Sequence, residues 1–503
     1  PILSERACDI TCGGSGMGWY TDTATRLLTW FIPAIILISS ISLAPIGVNR
    51  FVTISHLFGD PIHSLWSLLS KLEDWNHCYD MARRLHPDTS RPSNDPRNIG
   101  VLIAAIRELQ QPNNYDTDVT GIHYTCPCRC FRGMLGTLHT ETAGNLVEKR
   151  TTGTSYAWFA IFTYIFGIVC LFVPILGANL SPFAPSGTKI APAMLLSWLL
   201  PVILLNNIVG QFRVEDCIRI VRQFEEDIET FSKVPRGPHL PNCNRNLTPH
   251  HQPWTANLED RCWKKFPNSQ AWSGGIYSCQ LKKPMLESGE RRVRSWLLVA
   301  IATTSVCISF TMAFVVLYSY PTFFSCRSIM IIGMTIVWLL SPFMTRIIMT
   351  NSIFGVDDKT RWKVLFFKDY LIGFSILFLL VASSCGLGNS CRCWAGFSNK
   401  IGGVALSPGT QFTQNNKYIY PILISSCLFA QYLIFKISLY LGRTGLGVMT
   451  WSEGDRRNSL PKRAAAANQQ LPAAASISDS GSEEQDSVAG ESGYELLGLR
   501  AAS

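Results

Sequence analysis

The chain alternates between long apolar blocks and polar stretches. Blocks at 27–48, 156–178, 190–209, 296–318, 329–348, 364–384 and 418–441 each approach the roughly 20 residues that carry an α-helix across a hydrocarbon core about 30 Å thick. Helices that are apolar all round are accepted only by lipid or by the interior of a large protein. Seven such blocks with few internal charges predict an all-α integral membrane protein of about seven transmembrane helices. Short connectors holding Pro182, Pro185 and Gly187, and then Pro321, make the second and third blocks one hairpin and the fourth and fifth another. The sixth block is the least regular. Lys368 and Asp369 fall one turn inside its start, where Lys368 could snorkel to the interface.

Between these blocks lie an outer N-terminal segment (1–26), a helical insertion (51–154), a second insertion (211–294), a Cys-containing outer loop (385–417) and a tail (443–503). The first insertion carries Asp60-Pro61 and Asp95-Pro96, each an N-cap acceptor ahead of a proline suited to the first helical position. Ile62, Leu65, Leu69, Leu72 and Trp75 follow the first cap, and Val101, Leu102, Ala105, Ile106 and Leu109 follow the second. Both runs have helical spacing and predict amphipathic helices that pack on each other, on the second insertion or on the membrane surface. Val214, Cys217, Val221, Phe224, Ile228 and Phe231 predict a further helix continuing off the third span. The tail is rich in Ala, Ser, Gln and Glu, cannot build a core, and is expected to be disordered. Ser478, Ser480, Ser482 and Ser487 sit there among acidic residues in a setting for an acidic-site kinase. Tyr494 and Leu497 have the spacing of a tyrosine-based sorting signal.

Charge and cysteine content add sides to this map. The 503 residues are 47% hydrophobic and carry a formal net charge of +9, but Lys and Arg flank the apolar blocks instead of forming one patch, which favours membrane orientation over nucleic-acid binding. The excess of basic flanks places the N-terminus outside or lumenal and both insertions and the tail in the cytosol, in a plasma membrane or endomembrane. The lipid bilayer is then the obligatory partner, and cytosolic proteins could dock on the insertions and tail. Because the chain opens at Pro1, the sequence leaves room for a preceding segment. Cys8, Cys12, Cys326, Cys385, Cys391 and Cys393 fall on the outer side, where an oxidising compartment can pair them and staple the N-terminal segment to the last outer loop. His123, Cys126, Cys128 and Cys130 form a cytosolic cluster that could hold a soft metal or accept palmitate, although the alternating spacing is not that of zinc sites.

No phosphate loop, histidine pair at helical spacing or nucleophile elbow stands out, so no catalytic residue, cofactor or oligomeric state is assigned. Asn206, Asn207 and Gln431 are polar positions inside spans, where they commonly serve as interhelical hydrogen-bond partners. The stretch Gly59-Asp60-Pro61-Ile62, continuing through Trp66-Ser67-Leu68-Leu69-Ser70-Lys71-Leu72-Glu73 to Trp75-Asn76, resembles uncharacterised multi-pass membrane proteins of filamentous fungi. That resemblance covers the first span and first insertion and implies no activity. A receptor-like or scaffold protein acting through its insertions and tail is the leading expectation, a transporter or channel the alternative, and a membrane-embedded enzyme the third.

Overall fold

The apolar blocks form helices, and prolines and glycines decide where those helices break. The computed structural model describes residues 23–41, 50–85, 96–109, 129–151, 154–177, 187–212, 214–233, 295–318, 324–350, 358–388 and 410–449, with a few shorter pieces. They fall within one unit, Pro1–Thr450.

In chain order the helices are α1 (Thr23–Ser39), α2 (Arg50–Gly59), α3 (Pro61–Leu85), α4 (Pro96–Leu109), α5 (Arg129–Glu148), α6 (Thr154–Gly177), α7 (Gly187–Leu195) and α8 (Leu199–Val209). They continue with α9 (Val214–Lys233), α10 (Ser295–Tyr318), α11 (Cys326–Thr350), α12 (Asp358–Cys385), α13 (Thr410–Leu441) and α14 (Arg443–Met449). Two antiparallel pairings of two residues each complete the described elements: β1 (Ile2–Leu3) with β4 (Val404–Ala405), and β2 (Arg150–Thr151) with β3 (Gln211–Phe212). The protein is all-α in class. The first pairing ties the N-terminal segment to the loop before α13 through backbone hydrogen bonds.

Among the described residues, five helical stretches are long and apolar enough to cross a membrane: Gly187–Val209, Ser295–Tyr318, Cys326–Ile348, Lys363–Cys385 and Tyr418–Leu441. Arg26–Ser39 and Ala157–Cys170 are apolar but shorter. The first of the five is α7 and α8 joined by a 3₁₀ turn at Leu196–Trp198. Pro201 accounts for that turn, because it cannot donate to the Ser197 carbonyl four residues back and its ring crowds that oxygen. Gly210 closes α8 at φ 58°, a conformation that favours glycine.

This broken helix is the centre of the bundle, buried on nearly every side by α1, α3, α6, α10 and α13. The outer helices turn large apolar side chains outward instead, among them Phe166, Leu340, Phe343, Phe374, Phe378 and Phe429. So extensive an apolar exterior calls for lipid or a partner surface.

A second broken helix lies against this centre. The α2–α3 pair belongs to the stretch assigned on sequence to an insertion outside the lipid, yet α3 packs on α8, α10, α11, α4 and α14 and is buried on both faces over its first four turns. Pro61 makes the break. It leaves carbonyls at the end of α2 without their helical donors, and the Phe58 carbonyl accepts the Trp338 indole N–H instead, at 2.7 Å. Asp60 caps α3, its Oδ1 accepting the His63 backbone N–H at 3.0 Å, as the Asp-Pro signal predicts.

At its far end α3 meets the corner between α13 and α14. Asn76, buried, donates to the Leu441 carbonyl at 2.9 Å and accepts the Gly445 N–H at 2.7 Å. Replacing Asn76 with Leu leaves both backbone groups without these partners and should cost about 1–3 kcal/mol, read as a lower melting midpoint. The amphipathic α9 packs against α4 and α5, with Phe224 beside the His139 ring.

Candidate functional site

The α2–α3 break carries a group of interacting buried ionisable residues. His56 lies in the last turn of α2, Asp60 is the junction, and His63 lies in the first turn of α3, so the turns flanking Pro61 deliver two imidazoles and a carboxylate to the same place. Opposite them stand Lys368 and Asp369 on α12 and Ser341 and Thr345 on α11. All seven side chains are buried.

Close approach of the helices makes this meeting possible. A Cβ on Gly59 would lie 2.4 Å from the Asp369 carbonyl oxygen, and one on Gly373 would lie 2.9 Å from the Ser55 carbonyl oxygen. Glycine at both positions lets α2 and α12 pack backbone to backbone.

The contacts form a continuous chain. His56 Nδ1 lies 2.6 Å from Asp369 Oδ2, and His56 Nε2 lies 3.2 Å from His63 Nδ1. Ser67 Oγ stands 3.3 Å from the same His63 nitrogen. The Lys368 ammonium reaches Thr345 Oγ1 at 2.7 Å, Ser341 Oγ at 2.8 Å and Asp60 Oδ2 at 3.2 Å, and it faces Asp369 Oδ1 at 2.7 Å. Thr345 in turn donates to Asp60 Oδ2 at 2.8 Å.

Burial works to raise the Asp60 carboxyl, but the Lys368 ammonium, with lesser help from His63 and His56, outweighs it and holds the group below its ordinary range. Burial, reinforced by His56, pushes the His63 imidazole down to about 4. The Nδ1 of a neutral His63 can accept a hydrogen bond, and the contacts run without interruption from Asp369 through His56 to His63.

Beside this cluster, a T-shaped contact joins Trp198 to Trp338, and Phe58 meets Trp198 edge-on. A second polar seam runs through the centre of the bundle. Ser197, in the 3₁₀ turn, meets Ser309 at 2.8 Å, and Gln431 accepts from Ser305 at 2.7 Å and donates to Ser309 at 2.9 Å. Gln431 thus links α13 to α10. Asn207 donates within its own helix to the Ile203 carbonyl.

The residues singled out on sequence fall elsewhere. Cys326 and Cys393 form a disulfide with Cα atoms 5.2 Å apart. Cys391 is also disulfide-bonded, and Cys385 is a free thiol. Cys8 and Cys12, His123, Cys126 and Cys128, and the tail positions Ser478, Ser480, Ser482, Ser487, Tyr494 and Leu497 lie outside the described residues. Cys130 falls in α5, its side chain also outside them. Among the described residues no group of three or more His, Cys, Asp or Glu side chains could hold a metal ion.

Lys368 does not snorkel. It turns inward to Asp60, because that carboxylate and two hydroxyls offer a buried ammonium more than the interface does. His56 and His63 went unmarked because both lie outside the apolar blocks. The signal that could have found the site is the pairing of a Lys-Asp step inside an apolar span with an Asp-Pro helix break.

Comparison with family models, curated proteins and solved structures finds no match. Fold and site together define an α-helical bundle with five helices long and apolar enough to cross a membrane and an ionic cluster buried between two of them and a helix break.

Proposed function

We propose that this is a multi-pass membrane protein with seven membrane helices, an outer or lumenal N-terminus and a cytosolic C-terminus, and that it acts as a transporter. The observation carrying this reading is the buried cluster His56, Asp60, His63, Lys368 and Asp369 at the junction of a broken helix. Ionisable groups inside membrane helices are costly, and they commonly mark ion or substrate pathways. Interrupted helices are where transporters build such pathways. A buried ion network is seldom the most stabilising filling of a bundle, so stability alone gives weak reason for its presence.

The seven-helix count adds the shorter helices Arg26–Ser39 and Ala157–Cys170 to the five long ones. The Cys326–Cys393 disulfide agrees with an oxidising outer side at that end of α11 and α12. A receptor or scaffold reading draws on the two insertions and the tail, and α3 of the first insertion is packed inside the bundle. The likeness to multi-pass proteins of filamentous fungi enters this proposal for architecture alone.

The test is charge displacement on solid-supported membranes carrying the purified protein. Amino acids, sugars, organic acids and organic cations are applied in turn under a pH gradient. At least one class should give a solute-dependent current that Asp369→Asn abolishes. Silence across all four classes, with radiolabelled uptake equally negative, would overturn the transporter reading.

A further inference from the structure

The Lys368 ammonium sits in a shell with more oxygens than it has protons. Thr345 Oγ1 at 2.7 Å, Ser341 Oγ at 2.8 Å, Asp60 Oδ2 at 3.2 Å and the Ser341 carbonyl at 3.5 Å surround it, and Asp369 Oδ1 closes the shell at 2.7 Å. A primary ammonium has three N–H bonds to direct. Five oxygens drawn from two carboxylates, two hydroxyls and a backbone carbonyl exceed that number. The surplus is visible at Asp369 Oδ1, a buried oxygen aimed at the ammonium that receives no properly directed hydrogen bond. A shell that surrounds a charge without matching the directions of its protons suits a spherical ion. Hard cations take oxygen ligands, and monovalent ones are commonly held where hydroxyls, carbonyls and carboxylates replace their hydration shell.

We propose that these five oxygens form a monovalent-cation site and that the Lys368 ammonium is its tethered occupant, exchangeable for a free cation of potassium or ammonium size when that side chain loses its charge or withdraws. The shell joins three separate parts of the bundle: Asp60 from the α2–α3 break, Ser341 and Thr345 from α11, and Asp369 from α12. Filling or emptying it therefore bears on how these parts are held together. Beyond the shell's own Asp60 and Asp369, His56 and His63 from the α2–α3 side are the titratable groups described beside it. Cation binding by this shell requires no transport and follows from the arrangement of its oxygens.

The experiment compares the full chain with Lys368→Ala in detergent, melted in choline, sodium, potassium, ammonium and methylammonium chloride at equal ionic strength. Choline is too large for the shell and serves as the reference. The wild type should melt at one temperature in all five salts. Lys368→Ala should melt lower than wild type in choline and recover, saturably, in potassium, ammonium or methylammonium, by on the order of 2–4 °C. Combining Lys368→Ala with Asp60→Asn removes one carboxylate from the shell and should abolish the recovery.

Equal melting of Lys368→Ala in every salt, or a salt response that survives Asp60→Asn, overturns the proposal. If Lys368→Ala yields no folded protein in choline, purification in ammonium decides the matter: recovery there supports the site, and failure in every cation rejects it. No transported solute enters the measurement, so a negative result leaves the transporter reading standing, and a failed transport screen leaves this site standing.

Discussion

Gly59→Val is expected to leave no stably folded protein. Even the first added carbon would sit 2.4 Å from the Asp369 carbonyl oxygen and 2.7 Å from the Asp369 Cα, and both obstacles are helix backbone that no rotamer change can move. Relief requires α2 to withdraw from α12. Withdrawal would pull His56 away from Asp369 and Asp60 away from Lys368, stranding buried charges. The combined cost should exceed about 3 kcal/mol, since overpacking alone commonly costs 1–3 kcal/mol and an unpaired buried charge adds to it. Gly333→Ala and Gly447→Ala are the controls, because a Cβ at either position meets nothing within 4 Å. Both should fold as wild type does. Monodisperse peak height in size-exclusion chromatography, followed by thermal melting, separates the outcomes; a Gly59→Val protein that melts with the wild type would disprove the close packing.

The second large effect concerns charge. Asp60→Ala removes the cap of α3 and one of the two carboxylates that balance the cluster, leaving the Lys368 ammonium underpaired in the interior. A loss of about 3–5 kcal/mol is expected, the range for breaking a buried pair by deleting one partner. Adding Lys368→Met should return much of that loss, because the second substitution removes the stranded charge and fills the space with a chain of similar length. Thermal melts of the two single variants and the double variant form the cycle. Strictly additive losses would mean that Asp60 and Lys368 do not act as a pair.

The long apolar helices were legible because membrane-length apolar runs carry their meaning locally. The runs from Trp296, Ile329 and Tyr418 lie within α10, α11 and α13 with ends shifted by no more than a few residues, apart from the long start of α13 at Thr410. The caps were equally local, with Pro61 and Pro96 each opening a helix.

What the sequence hid is the fate of the polar face of α3. Ile62, Leu65, Leu69 and Leu72 mark one face of an amphipathic helix, and His63, Ser64 and Ser67 lie on its other faces. In the fold those residues are buried too. Their partners explain the difference: the cluster joins His56 to Asp369 across 313 positions, and Asn76 reaches Gly445 across 369. Periodicity within a window reports which residues share a face, but it cannot report whether that face meets water or a polar surface hundreds of residues away. Lys368 was misplaced for the same reason.

The disulfide between Cys326 and Cys393 fastens the beginning of α11 to the segment just past α12. Toward their opposite ends the same two antiparallel helices are joined by Ser341 and Thr345 facing Lys368. The pair is therefore closed covalently at both ends, by the disulfide at one and by the chain through positions 351–357 at the other, and the Lys368 contacts lie just inside the second closure. Separation of these helices is thus limited at both ends, and a change of charge at Lys368 acts beside a closure that the chain itself makes.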